Sequence, residues 1–142
     1  MTVDQISVFV ENKPGKLGEV TSVLSQNKVD IRALSLADTA DFGILRCIVA
    51  DTISAVEVLR NAGCIVSLTP VLAVELKDEP GSLNQVLDVL AKGDVNMEYL
   101  YAFVNKNAAA YVVIRVQDND KAQKVLAEAN IKVAGKEDIV GD

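Results

Sequence analysis

The sequence predicts an α+β protein built from two tandem βαββαβ units, because one pattern occurs in it twice. The segments ENKPGKL, residues 11–17, and KDEPGSL, residues 77–83, each follow an alternating apolar strand pattern and precede an amphipathic helix pattern. Pro80 lies 66 residues after Pro14. An internal repeat of this length indicates one supersecondary unit used twice. We therefore expect one unit over residues 1–70 and a second over residues 71–142.

The first strand and the first helix of the two units match position by position. Each strand alternates between apolar and other residues, and the apolar sets are Ile6, Val8 and Val10 in the first unit and Leu72, Val74 and Leu76 in the second. Each helix has apolar residues at spacings of three and four, namely Leu17, Val20 and Leu24 in the first unit and Leu83, Val86 and Leu90 in the second. We expect these residues to form two cores.

The other strands repeat in the same order. A second strand follows residues 29–31 and 95–97, and third strands cover residues 44–50 and 111–117. Short fourth strands close the units at residues 65–68 and 131–134.

The second helices have recognisable ends. They begin after Asp51-Thr52 and Asp118-Asn119, whose short polar side chains can accept hydrogen bonds from first-turn amides. They end near Gly63 and Asn130, residues that favour a left-handed C-terminal turn. The complete order predicts two ferredoxin-like units, each an antiparallel four-stranded sheet with two helices on one face.

The second face of each sheet is left open by this arrangement. Phe9, Tyr99, Tyr101 and Phe103 alternate out of register with the helix-facing residues, so this face is not wholly polar and we expect something to cover it. Tyr99, Tyr101 and Phe103 correspond by the repeat to the small residues Ala33, Ser35 and Ala37. Large side chains opposite small ones are typical of interdigitated layers, so we expect the two units to pack together.

Composition excludes several classes of protein. The formal charge of −6 disfavours nucleic acid as a partner. No apolar run approaches the length of about 18 residues expected of a membrane-spanning helix, and residues 1–5 do not resemble a signal peptide. We expect a soluble, cytoplasmic protein without a membrane partner, in which Cys47 and Cys64 are reduced thiols.

The chain contains no histidine, which removes the commonest general base and the commonest metal ligand. Most hydrolytic mechanisms lose their central residue for this reason. We predict no catalytic residues, no metal and no cofactor, and hence a protein that is not an enzyme.

The repeated turn has the chemistry of a small binding site. Asn12 and Asp78 precede a helix whose first amides have no intrahelical acceptor, and those amides together with the helix dipole favour a small anion such as a carboxylate. Gly15 and Gly81 allow close approach of a ligand. The side-chain oxygens could accept from an ammonium group, so the two features together suit an amino acid. The second strands begin with a further acceptor, Asp30 or Asn96.

The repeated turns, the strand starts VDI and VNM, and the segments FGILRCIVAD and AYVVIRVQD resemble two tandem ACT domains over nearly the whole chain. ACT domains are small regulatory modules that bind amino acids, generally at an interface between two such domains. The resemblance implies ligand contacts at Asn12, Lys13, Pro14, Gly15, Leu17, Asp30 and Ile31 in the first unit and at Asp78, Pro80, Gly81, Leu83, Asn96 and Met97 in the second.

Within this resemblance, Asn12 with Asn96 matches the family pattern best. The second turn departs from the pattern, because Asp78-Glu79 stands where asparagine and a basic residue are common. Each turn with a second-strand start of another unit would form one cleft, and whether one or both clefts bind a ligand therefore stays open. Whether two chains form a homodimer stays open as well.

The resulting hypothesis is a free-standing sensor that binds a small amino acid between two ACT-like units and signals through altered packing. The alternative is a ligandless assembly subunit that holds a metabolic enzyme on its open sheet face. Ferredoxin-like folds can also host hydrolysis of acyl phosphates. A resemblance to such enzymes calls for a loop arginine that holds the phosphate. This turn has Lys13 and Lys16 instead.

Overall fold

The computed structural model describes residues 1–38 and 41–140, and the chain divides into two compact units. The first unit is Asp4–Thr69, and the second joins Met1–Val3 to the chain from Pro70 onward. Residues 39 and 40, and the end of the predicted second unit at residues 141 and 142, lie outside the description. Each unit is described by itself.

The first unit contains β1 (Val3–Glu11) from Asp4 onward, α1 (Lys16–Gln26), β2 (Ile31–Asp38), β3 (Phe42–Val49), α2 (Thr52–Asn61) and the beginning of β4 (Val66–Leu76). Strand β3 pairs antiparallel with both β1 and β2, and Phe9 N donates to Ile65 O at 3.2 Å where the chain enters β4. The helices pack on one face of the sheet, in a core that includes Ile6, Val8 and Leu24. The predicted fold of this unit is confirmed.

The second unit continues with the rest of β4, then α3 (Ser82–Lys92), β5 (Met97–Val104), β6 (Ala110–Val116), α4 (Asn119–Glu128), β7 (Val133–Ala134) and α5 (Lys136–Val140). Strand β6 pairs antiparallel with β4 and β5, and β7 pairs antiparallel with β4. Leu72, Val74, Val86 and Leu90 lie in its core as predicted.

The predicted helix ends are confirmed. Asp51 and Asp118 are the N-caps, and each Oδ1 accepts from the amide three residues later at 3.1 Å. After the helices, Gly63 and Asn130 take the left-handed conformation, with φ of 86° and 57°. These four residues act on the backbone next to them in the chain, which explains why the sequence alone predicts the helix ends.

The C-terminal end of the second unit differs from the prediction. Strand β7 has two residues rather than four, and α5 follows it. Asp138 Oδ2 accepts from Gly135 N at 3.0 Å, Asn105 Nδ2 donates to Asp138 O at 3.1 Å, and Ile139 is fully buried. A five-residue helix held by these contacts is too short to show a helical period in the sequence.

The open sheet faces are covered unequally. Tyr101 is buried, and Tyr99 and Phe103 are half-buried, with the Phe103 ring stacked on Tyr111 at 5.4 Å. Phe9, by contrast, is 50% exposed, and the expectation that something covers it stays a prediction. The predicted packing of large side chains on small ones stays a prediction.

Both cysteines are free thiols, as expected. Cys47 is fully buried, and burial raises its pKa to about 11. Among the described residues, every helix is too short or too polar to cross a bilayer.

Candidate functional site

The first turn joins the end of β1 to the start of α1 through residues 12–15. Gly15 is the N-cap residue, and its φ of 83° is left-handed. No side chain of the described residues caps this helix. A Cβ built on Gly15 would have nothing within 4 Å, so the glycine is required by its dihedral angle and the space above it is open.

The second turn has the same backbone. Gly81 is the N-cap of α3 with φ of 91°, again without a side-chain cap within the part of the chain that the structure describes. Ser82 Oγ donates to Lys77 O at 2.6 Å, which ties the start of this helix to the end of β4. The two predicted turns therefore share one conformation.

In each turn, the first backbone amide of the helix already donates a hydrogen bond. Lys16 N donates to Lys13 O at 3.2 Å, and Ser82 N donates to Glu79 O at 3.4 Å. The first amide of each helix is thus bonded within the turn, to a carbonyl oxygen that precedes the helix. An anion at the turn would have to use the next amides, such as that of Leu17, which an α-helix leaves without an intrahelical acceptor.

The two turns differ in charge. In the first, Lys13 Nζ lies 3.2 Å from Glu11 Oε2 and Lys16 Nζ lies 3.6 Å from Glu19 Oε2. The hydrogen bond from Lys13 and the charges of Lys13 and Lys16 lower the pKa of Glu11. All of these groups are exposed or half-exposed, so the pairs contribute little stability and their charges remain available to a ligand.

The second turn instead has one cation, Lys77, beside the carboxylates of Asp78 and Glu79. A carboxylate ligand is therefore favoured more by the first turn than by the second.

The second strands begin with a bulge that the sequence analysis missed. In β2 the register shifts between Ile31 and Ala33, and in β5 it shifts between Met97 and Tyr99. The bulged residue is Arg32 in the first unit, and it directly follows the predicted ligand residues Asp30 and Ile31. Bulges re-aim side chains and occur often beside functional sites.

The bulged residues form ion pairs. Arg32 Nη2 lies 3.1 Å from Asp30 Oδ2, and only 11% of the Arg32 side chain is exposed. In the second unit Glu98 Oε2 lies 3.4 Å from Arg115 Nε. Asp30 is therefore already paired with a cation, whereas Asn96 is a neutral residue at the rim of a cavity of about 180 Å³.

The predicted apolar contacts have roles in the cores. Leu17, Ile31 and Met97 are partly buried and pack against the core of their own unit, while Leu83 is 38% exposed. Among these, Leu83 has the most surface available for a ligand.

The structure does not bring the turn and the second strand of one unit together. Glu11, at the end of β1, pairs with Phe42 of β3, whereas Ile31 pairs with Val49 at the other end of the same strand. At about 3.3 Å per residue this separation is about 23 Å. Asn12 and Asp30 thus lie at opposite ends of their sheet.

The second unit repeats this separation. Leu76, just before the turn, pairs with Ala110 of β6, whereas Met97 pairs with Val116 at the far end. The corresponding distance is about 20 Å. A site that contains both a turn and a second-strand start needs residues from two units.

Comparisons with known proteins identify the family. A model described as ACT domain pair matches residues 1–141. A crystal structure of a protein from Bacteroides thetaiotaomicron is 40% identical, with 98% of this chain and 96% of that chain covered at a TM-score of 0.91. No curated protein sequence matches the chain.

A more distant structure shares the fold. The ligand-free regulatory subunit of aspartate kinase from Thermus thermophilus is 16% identical, with 89% of this chain and 91% of that chain covered at a TM-score of 0.64. The match of the family model over almost the entire chain, together with two units of the expected fold, shows that this chain belongs to the family of ACT domain pairs.

Proposed function

We propose that the chain is a regulatory protein that binds a small amino acid between two ACT-like units and does not catalyse a reaction. The observation that carries this proposal is the placement of the two halves of the site. Each unit has the turn at one end of its sheet and the polar second-strand start at the other, about 20 Å away. Two units with opposed strand directions would bring complementary halves together.

Edge strands supply a route to such an arrangement. Within the described residues, β2 lies at the edge of the order β2-β3-β1 and β5 at the edge of β4-β6-β5. Both expose apolar side chains, with Leu34 55% and Val104 62% exposed. Exposed apolar edges favour pairing with another strand. Antiparallel pairing of these edges between two copies would place the start of one second strand beside the end of the other.

The charges favour one combination of half-sites. Lys13 and Lys16 suit the carboxylate of an amino acid near Asn12, and the neutral side chain of Asn96 can accept from its ammonium group. In the other combination, Asp78 and Glu79 repel a carboxylate, and Asp30 is held by Arg32. We therefore assign the stronger cleft to Asn12 and Asn96.

Signalling would follow from differential affinity. A ligand that contacts two units stabilises the packing in which both half-sites meet, and it shifts that equilibrium only by its difference in affinity between the packed and unpacked states. A cytoplasmic metabolic enzyme that recognises one packing state would then respond to the amino acid. The regulatory-subunit description of the Thermus thermophilus structure supports this kind of role by analogy alone.

Titration calorimetry with each of the common amino acids tests the proposal. We expect at least one to bind, and we expect Asn12→Ala and Asn96→Ala each to weaken binding about tenfold, the loss typical of one hydrogen bond to a charged group. Asn61→Ala is the matched control, because Asn61 is exposed at the end of α2. The absence of heat with every amino acid would refute the proposal.

The alternative function is a ligandless assembly subunit, which the exposed apolar edge residues Leu34 and Leu36 favour. In that case the turns are structural. Partner binding would then be lost in Leu34→Ser and Leu36→Ser variants, and Asn12→Ala would change neither partner binding nor any response to amino acids.

A further inference from the structure

A cavity of about 380 Å³ lies in the first unit, between α2 and the beginning of β4. None of the predicted ligand residues lines it. We call the surface around it the α2 face, and it consists of Ile53, Val56, Glu57, Arg60, Asn61 and Leu68. The α2 face therefore shares no residue with the half-sites assigned to amino acids.

The centre of the α2 face is apolar and exposed. Ile53 is 83% exposed, the highest value among the large apolar residues of the described chain, and Leu68 is 47% exposed. Val56 lines the same cavity but is buried, so it forms the apolar floor. A projecting isoleucine beside a shallow apolar cavity is a shape that fits a second copy of itself, since the Ile53 side chain of each copy can enter the cavity of the other.

The rim of the α2 face carries two opposite charges. Glu57 and Arg60 are both exposed, and neither forms an ion pair with another described residue. They are three positions apart and lie on the same side of the helix as Ile53 and Val56. In a contact with two-fold symmetry, the two copies present the same face in opposite directions. Glu57 of each copy can then pair with Arg60 of the other, so the face is complementary to itself in charge.

The second unit provides an internal comparison. The N-caps of α2 and α4 correspond, so the two helices can be compared position by position. The residues of α4 at the places of Ile53, Val56, Glu57 and Arg60 are Asp120, Gln123, Lys124 and Ala127. The apolar centre and the pair of opposite charges are therefore specific to the first unit and do not follow from the shared fold.

We propose that two copies of the chain bind each other through the α2 face, about a two-fold axis. Ile53 of each copy packs into the cavity of the other, and the pairs of Glu57 with Arg60 close the rim. With 10 residues, α2 is about 15 Å long. A contact centred on it is at the small end of specific interfaces, about 1,200 Å² in total, so we expect a Kd in the micromolar range. This contact uses neither the turns nor the edge strands of the proposed function.

Sedimentation velocity at protein concentrations from about 1 to about 500 μM, without any amino acid, measures this association. Ile53→Asp should weaken it about a hundredfold or more, because each copy loses a buried isoleucine and would bury a charge instead. Aspartate suits this place in the fold, since the second unit has Asp120 there, in the first turn of α4. Ile65→Asp, at an exposed apolar residue outside the α2 face, is the matched control and should leave association unchanged.

Charge reversal tests the two-fold pairing. Glu57→Arg alone makes both pairs repulsive, and so does Arg60→Glu alone, so each should weaken association about tenfold. The double variant Glu57→Arg with Arg60→Glu restores both pairs with their charges exchanged, and it should associate within about twofold of the wild type. Lys124→Glu, at the matching exposed position of α4, should have no effect.

Three results would overturn the proposal: wild-type protein that stays monomeric over the whole range, association that Ile53→Asp leaves unchanged, or a double variant that associates as weakly as the single ones. Circular dichroism of each variant confirms folding, so lost association cannot be attributed to unfolding. Calorimetry keeps this proposal apart from the proposed function. Ile53→Asp should bind an amino acid as the wild type does, and association should persist even if no amino acid binds.

Discussion

Two glycines at the first turn should respond in opposite ways to the same substitution. Gly15 has φ of 83°, whereas Gly18 lies inside α1, and a Cβ at either position would have nothing within 4 Å. Steric contact therefore does not distinguish them, and only the backbone does. Gly15→Ala should destabilise the protein by about 1–2 kcal/mol, the cost of a left-handed residue with a side chain. Gly18→Ala should stabilise it by about 0.5–1 kcal/mol, because alanine restricts the unfolded chain and favours the helix.

Urea denaturation followed by the helical circular dichroism signal measures both variants. With a slope of about 1–3 kcal/mol per molar urea, the two midpoints should differ by about 1 M. Gly81→Ala is the replicate, because its φ is 91° and its surroundings are equally open. If Gly15→Ala matched the wild-type midpoint, or if Gly18→Ala lowered it as much as Gly15→Ala, the dihedral argument would be refuted.

Three other predictions follow from the same structure. Asp51→Ala and Asp118→Ala should each lower the unfolding free energy by about 1 kcal/mol in urea, and the Asp→Asn variants should retain most of it, because asparagine also caps. The buried Cys47 thiol favours folding below the pKa of an unfolded cysteine, near 8.5, and this contribution is lost as pH rises towards about 11. Wild type should therefore lose about 2–3 kcal/mol more than Cys47→Ala over that range, and equal losses would count against the shift. The Asn105 side chain accepts from Asn107 N and Ala109 N between β5 and β6 and donates to Asp138 O. Asn105→Ala should therefore lower the unfolding free energy by about 1–3 kcal/mol and speed amide hydrogen exchange in α5.

Much of the candidate site was predictable from the sequence. The turn residues and the second-strand starts occur twice at the same spacing, so their positions relative to helices and strands follow from the repeat. The ion pair between Asp30 and Arg32 was not predictable in its geometry, because the bulge that holds Arg32 has no sequence signature. The bulge depends on which residues of β3 pair with β2.

The sequence by itself determined the order of the elements, the helix caps and the left-handed ends at Gly63 and Asn130, because these depend on residues close together in the chain. Only the tertiary structure decided the separation of turn from second strand, the two bulges and the helix α5, because each depends on cross-strand register or on contacts between residues far apart in sequence. It also decided that the rings of Phe9 and Phe42 lie 5.5 Å apart, since their contact requires β1 and β3 to pair in one register.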